Sequence, residues 1–208
     1  MGVILSRENQ VRTTYDNGIV GIRSFTAEDA SSLYEAARES ITQLCAWMVW
    51  CHPGYSLEDS ATFVADAPKR WSLGERYSFA IFSTANKQFL GSAGLSDINQ
   101  AHGFANIGYW VRSTWANRGV ASTATRLLAC FAFEQLRLHR LEFVIPVGNH
   151  ASERVAAKIG AKREGVLRKR LMLQGKPHDA LMMSLLSEDL KADAEAARKG
   201  VGRAAVYS

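Results

Sequence analysis

The run Asn106-Ile107-Gly108-Tyr109-Trp110-Val111, then Trp115-Ala116-Asn117-Arg118-Gly119-Val120-Ala121, then Ser122 to Leu136, reads as strand, turn and helix. The first six residues suit a strand, and the last stretch carries apolar residues at helical spacing (Val120, Ala124, Leu127, Leu128, Phe131) with Arg126, Glu134 and Arg137 on other faces. Between them Gly119 lets the backbone turn without a Cβ penalty, and small Ala121 lets a ligand come close. The first free amides of the helix point outward with the positive end of its dipole behind them, so a pyrophosphate fits there. A strand, a turn with one glycine and a helix can equally be a plain connection. Neither G-x-x-x-x-G-K-[ST] nor a G-x-G-x-x-G after a strand occurs, which excludes a P-loop and a dinucleotide fingerprint.

Working outward, Leu141 to Val147 reads as a short strand, and Asn149 can cap a helix that runs to Ile159 and stops at Gly160. The unit is strand, phosphate turn, helix, strand, helix. Pro146 is out of place in a central strand, because it has no amide hydrogen to give a ladder. It marks a bulge, a mere strand end, or a point where the neighbouring strand has separated.

Several motifs in this order resemble the GNAT acyltransferases. These are I-G-Y-W-V from Ile107, W-x-x-R-G-x-A from Trp115, F-A-F-E-Q-L from Phe131, L-H-R-L-E from Leu138, N-x-x-S from Asn149 and I-G-A-K-R-E-G-V-L-R from Ile159. Upstream, Trp47-Met48-Val49-Trp50-Cys51-His52-Pro53, Ser56-Leu57-Glu58-Asp59, and Trp71 followed by Phe79-Ala80-Ile81 are similar to the branch that acetylates ribosomal-protein N-termini, the RimJ/RimL type. The resemblance runs from about Gly21 to Leu186. It implies an α/β (α+β) fold with a central mixed, mostly antiparallel sheet, splayed central strands and flanking helices. It also implies an N-acetyltransferase that uses acetyl-CoA and no metal, the amine attacking the thioester directly.

By the same resemblance, backbone groups of Trp110 and Val111 hold the pantetheine and offer an amide to the thioester carbonyl. Amides of Asn117, Arg118, Gly119, Val120, Ala121 and Ser122 hold the pyrophosphate. Asn149 binds the pantetheine arm from the other side, and Ser152 places its hydroxyl near the sulfur as proton donor. Read without the family, Asn149 and Ser152 are an ordinary helix start. Two positions depart from the family's pattern. Ala116 lies where the pyrophosphate motif has Gln or Arg, and Leu171 lies where some ribosomal-protein acetylating members have a carboxylate. The general base is therefore open among Asp97, His52, Glu164 and a relay through water.

Trp47, Trp50, His52 and Tyr55 make the segment Leu44 to Tyr55 more aromatic than a connecting loop requires. Either Trp47, Trp50 and His52 line an acceptor pocket, with the turn Ser96 to Phe104 beside it, or the two tryptophans are core. No acidic cluster suited to a polycationic drug is present. A protein N-terminus is the leading acceptor and a small amine the runner-up; a non-catalytic acyl-CoA sensor is a third reading. A second copy in a homodimer is a further partner the resemblance admits.

Composition agrees. The 208 residues, 47% of them hydrophobic, suffice for one domain over 1–208, with a core at about 19–186 and a C-terminal helix and tail over 187–208. No apolar run is long enough to cross a bilayer, and the start lacks the features of a signal peptide, so a soluble cytoplasmic protein is expected. Three cysteines without C-x-x-C argue for reduced thiols rather than a disulfide framework or zinc, and the five histidines form no metal motif. The net charge is +5, much of it in Lys162, Arg163, Arg168, Lys169, Arg170 and Lys176. That run fits a protected strand edge or a surface for an anionic partner. No base-reading pattern accompanies it, so sequence-specific nucleic-acid binding is not expected.

The remaining segments are expected as a strand Ile19 to Phe25, a helix capped by Thr26 and ending near Glu39, and an irregular stretch Leu44 to His52. A helix capped by Ser56 and ending near Trp71 follows. Strands are expected at Tyr77 to Ser83, Phe89 to Ile98 and Phe104 to Val111, then a final hairpin, Gly165 to Leu173 and Asp179 to Leu186, turning through Gln174 to Pro177.

Overall fold

The structure, a computed structural model, describes residues 14–190. Strands β1 (Thr14–Asp16) and β2 (Val20–Ser24) come first, then helices α1 (Asp29–Glu39), α2 (Ile41–Trp47) and α3 (Leu57–Ser72). Strands β3 (Tyr77–Ser83), β4 (Phe89–Asn99) and β5 (Phe104–Val111) lead through a 3-10 turn at Ser113–Trp115 to α4 (Val120–Glu134). Then come β6 (Arg140–Pro146), α5 (His150–Lys158), β7 (Lys162–Leu173) and β8 (Lys176–Leu186). Residues 187–190 are helical, and the rest of the helix and tail expected there lies outside the described residues.

The eight strands of the described residues form one sheet in the order β1-β2-β3-β4-β5-β6-β8-β7. Every neighbouring pair is antiparallel except β5 and β6, which run parallel. This is the mixed, mostly antiparallel sheet that the sequence pattern implies. One face carries α4 and α5 on a core that includes Ile22, Phe79, Leu95, Ile107, Leu128 and Phe143. The other carries α1 to α3 over Phe25, Leu33, Val64, Phe89 and Trp110. Alternation along β5 explains the division, since Ile107 and Trp110 point to opposite faces.

The parallel pair is short. Phe104, Ala105 and Asn106 pair with Arg140, Leu141 and Glu142, and the ladder stops there. Beyond it Val144 gives its amide not to β5 backbone but to the Asn106 side-chain oxygen, at 3.4 Å. Pro146 still faces Ala180 of β8, while the Val147 amide bonds Asp179 on that side. Alternation then turns the nitrogen of Pro146 toward β5, where it has no hydrogen to leave unsatisfied. The strands have parted at the proline, as one of the readings of Pro146 required.

Several local expectations are corrected. Strand β1 was absent from the sequence reading; it is three residues long and pairs only with β2. Helix α1 starts three residues after Thr26, whose hydroxyl and amide donate to Asp29 instead of capping; Arg23 completes that cluster at 2.6 and 2.7 Å. The stretch expected to be irregular contains α2, a helix of seven residues with Leu44 alone buried, too short to show a periodicity. Helix α3 does begin at Ser56, in a capping box with Asp59. The last hairpin turns at Gln174 and Gly175 alone, both at positive φ (49° and 74°), as a two-residue hairpin turn demands, so Pro177 lies inside β8 opposite Met172. Strand β7 starts at Lys162 and forms the end of the sheet, which places Lys162, Arg163, Arg168, Lys169 and Arg170 on an edge strand.

Candidate active site

Where β5 and β6 part, a cavity of about 530 Å³ passes from one face of the sheet to the other. On the α5 side it meets Tyr109, Asn149 and Ser152; on the α2 and α3 side it meets Trp47, Trp50, Asp59 and Trp110. A ladder break in the centre of a sheet leaves amides and carbonyls of β5 with no strand to pair, which a linear ligand with amide groups could satisfy. The arrangement suits a long donor entering from one face and an acceptor from the other.

The turn after β5 has the expected form. Gly119 is the N-cap of α4 in the left-handed region (φ 79°), with Asn117 also at positive φ (61°). The first helical bond is Thr123 amide to Gly119 carbonyl, so among the described residues the amides of Val120, Ala121 and Ser122 have no backbone acceptor. They open outward as an anion cradle. The Ser122 hydroxyl is turned back onto the Gly119 carbonyl at 2.9 Å. Arg118 is exposed and stacks over the Trp115 ring at 5.0 Å. The turn is anchored from behind by Glu39, which accepts from the Thr114 amide and hydroxyl and from Arg112. Burial pushes the Glu39 carboxyl up, but the bonds from Thr114 and Arg112 outweigh it and hold the pKa at about 2. Gly91 on β4 is needed here, since a Cβ would run into the Trp110 carbonyl.

Across the gap, Asn149 caps α5 by accepting the Ser152 amide at 3.1 Å, which leaves its side-chain NH2 free to donate. The Ser152 hydroxyl does not cap; it donates to the Tyr109 hydroxyl at 3.1 Å. Tyr109 in turn donates to the Ser152 carbonyl at 2.8 Å. Burial pushes the Tyr109 phenol up to about 12, partly offset by its bond with Ser152.

The aromatic segment divides. Trp47 and Trp50 line the cavity, whereas His52 stands outside its wall, its ring edge-on to Tyr55 and its Nε2 3.7 Å from Asp59. Of the three residues expected at an acceptor pocket, Trp47 and Trp50 thus reach the cavity wall and His52 lies against two of its members, Tyr55 and Asp59. Trp50 is 42% exposed and leans on Tyr55 and Trp110 at 5.4 and 6.0 Å, which corrects the alternative of a buried tryptophan core. Cys45 and Cys51, flanking these tryptophans, are free thiols with sulfurs 2.9 Å apart.

Of the base candidates, Glu164 is bound at both oxygens by Arg140 (2.7 and 2.6 Å) and accepts from Ser184 at 2.6 Å, away from the cavity. Arg140 holds its pKa at about 2, so it is a structural anion. Asp97 lines an adjoining recess with Asp66, Arg70 and Glu75, which shares Phe63, Arg76, Ser78 and Ser96 with the cavity. Asp59 does line the cavity, but Ser56 donates to it twice and holds it below the usual carboxylate range. Leu171 is in the wall, so the departure at that position falls inside the site. Sequence reasoning missed Asn106, Tyr109 and Asp59 as cavity residues; only their spacing on elements already expected could have placed them. Among the described residues no cluster of His, Cys, Asp and Glu could hold a metal, and no helix is long and apolar enough to cross a membrane.

The chain matches the Acetyltransferase (GNAT) domain family over residues 20–162. It belongs to that family. It is 29% identical over 164 residues to "Probable N-acetyltransferase YjcK" of Bacillus subtilis (strain 168), covering 78% of this chain and 90% of the relative. It is 27% identical over 174 residues to "Putative ribosomal N-acetyltransferase YdaF" of the same organism, covering 83% and 94%. The solved structure of Mycobacterium smegmatis RimJ in complex with CoA-disulfide shares the fold with a TM-score of 0.80 at 23% identity, over 91% of this chain and 96% of that one. The protein is thus a GNAT N-acetyltransferase that takes its acetyl group from acetyl-CoA, and its relatives include the RimJ/RimL type.

Proposed function

We propose that this GNAT enzyme acetylates the α-amino group of a peptide or protein N-terminus. The reading rests on one observation: the cavity at the parted strands carries Trp47 and Trp50 in its wall on the α2 and α3 side, with one acidic residue, Asp59, and one basic residue, Arg76, among the described residues. Two tryptophans grip an extended chain better than a small polar amine, and a polycation would require more negative charge. A relative with a ribosomal name points the same way. The reaction belongs in the cytoplasm, on one domain spanning 1–208.

In this reading the amides of Asn117 to Ser122 hold the pyrophosphate, and the backbone of Trp110 and Val111 with the Asn149 NH2 aligns the pantetheine arm. Acetyl-CoA supplies an activated acyl thioester. An amide from β5 steadies the carbonyl oxygen as negative charge gathers on it. Ser152 hands a proton to the departing sulfur. With Glu164 and Asp59 held as anions by their own partners, the amine loses its proton through water in the cavity. The assignment is tested by following CoA thiol release over a panel of peptide N-termini, polyamines and aminoglycosides. Peptides are expected to lead in kcat/KM; turnover confined to small amines would transfer the acceptor to that class, and binding of acetyl-CoA without turnover of any amine would make the protein a sensor.

A further inference from the structure

Ser152 poses a problem of acidity. An aliphatic hydroxyl is about as weak an acid as water, whose pKa is about 15.7. A thiol has a pKa of about 8.5, so proton transfer from serine to a thiolate is uphill by about 7 pH units. A lone serine is a poor donor for the step assigned to it. The only hydroxyl bonded to Ser152 among the described residues is that of Tyr109.

Tyr109 and Ser152 are 43 residues apart in sequence and joined twice. The phenol donates to the Ser152 carbonyl and accepts from the Ser152 hydroxyl, so both rotors are held toward each other in one small ring. The Tyr109 ring is fixed edge-on against Phe143 at 6.4 Å. Both residues line the cavity at the place where the strands separate. A purely structural tyrosine needs only one partner for its hydroxyl, and the Ser152 carbonyl already provides it.

We propose that Tyr109 is the positioning and proton-supplying partner of Ser152, the two hydroxyls acting as one relay toward the departing sulfur. The inference rests on the placement of Ser152 given under the proposed function. As the carbon–sulfur bond breaks, its electron pair goes to sulfur and the Ser152 hydroxyl proton follows. The Tyr109 proton swings from the Ser152 carbonyl to the Ser152 oxygen, which lies within the same ring. The proton lost by the acceptor nitrogen returns through cavity water to the phenol, so the cycle closes with no net charge left in the wall. Burial keeps the phenol protonated at rest, at a pKa of about 12, yet it is a stronger acid than serine by several pH units. Half of the uphill distance is removed.

The test is a double-mutant cycle on the full-length chain with acetyl-CoA and the best peptide acceptor. Tyr109→Phe keeps the ring and its contact with Phe143 and removes only the hydroxyl. It should lower kcat by about tenfold to hundredfold with the KM for acetyl-CoA within about threefold. Ser152→Ala should cost at least as much, and the double variant no more than Ser152→Ala alone, because the two act as a unit. Losses that multiply in the double variant, or a Tyr109→Phe enzyme with wild-type kcat when chemistry limits the rate, would overturn the relay. A mere structural role would lower thermal stability and raise KM instead. Should the wild-type chain acetylate no amine at all, the acceptor reading fails, and the pair is judged on bound free CoA. There the thiolate ultraviolet band should appear at higher pH in Tyr109→Phe than in wild type, and coincident titrations would remove Tyr109 from the sulfur.

Discussion

Two ends of the same pair of strands behave oppositely. At one end Phe104 to Asn106 of β5 lie in register with Arg140 to Glu142 of β6, and Arg140 is fastened to Glu142 and Glu164, binding β6 to β7. At the other end β5 and β6 share no ladder. Asn106 reaches across to Val144, Pro146 turns a nitrogen without hydrogen into the gap, and Tyr109 holds Ser152. The first end is built from backbone pairing and charge, so its residues answer to stability. The second gives up pairing that a continuous sheet would make, and in the proposed reading its residues answer to ligands. Activity and folding are thus separated along one strand over a few residues.

The contrast is broken most forcefully at the turn that follows the parted end. Gly119→Glu puts a charged side chain into open space at the anion cradle and strains a left-handed position. Acetyl-CoA affinity should fall by about 100-fold or more, while circular dichroism stays native. Calorimetry showing ordinary affinity in the folded variant would detach the cofactor from this turn. Next in size, Ser152→Ala should lower kcat by about one to three orders of magnitude with little change in acetyl-CoA affinity. A variant that loses thermal stability but not turnover would return Ser152 to the helix start.

Trp50→Ala should raise the acceptor KM about tenfold, equivalent to about 1.4 kcal/mol, and leave acetyl-CoA binding alone. Because Trp50 is 42% exposed, its loss should destabilise far less than the 3 to 5 kcal/mol expected of a core tryptophan. A melting temperature lowered as far as a core deletion predicts, with both ligands weakened, would refute the acceptor role. The smallest effect belongs to the joined end. Glu164 is held at a pKa of about 2, below the unfolded value of about 4.3, so its contribution is present above the latter and is lost as pH falls toward 2. Glu164→Gln should lower the melting temperature by a few degrees at pH 7, with the difference from wild type fading between about pH 4 and 2. Its kcat/KM should be unchanged at pH 7, and a large loss there would restore Glu164 as a catalytic base.

The sheet and its long helices were legible because their signals are local. β5 was read with its observed bounds, α3 announced itself through Ser56, and the missing hydrogen of Pro146 admitted separated strands as one of its readings. Strand β1 and helix α2 were not legible, since three and seven residues cannot display a period against the core. The turn at Gly119 and the cap at Asn149 were visible as residue types in order. What the chain could not show was which side chains meet across the gap. Tyr109 reads in sequence as one more apolar strand residue, and His52 as a pocket residue, until the register of β5 and the course of the segment before α3 are known.

The parted end also has a thermodynamic consequence. An interior sheet edge is an unfinished structure, and whatever occupies it contributes the bonds of an absent strand. Because the folded state alone offers this slot, the donor is coupled to folding by mass action: at a hundred times its dissociation constant it adds about 2.7 kcal/mol. An enzyme short of acetyl-CoA would then be a measurably softer molecule, its amides near Val144 exchanging with solvent sooner than those beside Leu141. The supply of activated acetyl groups in the cell would be written into the lifetime of the protein as well as into its rate.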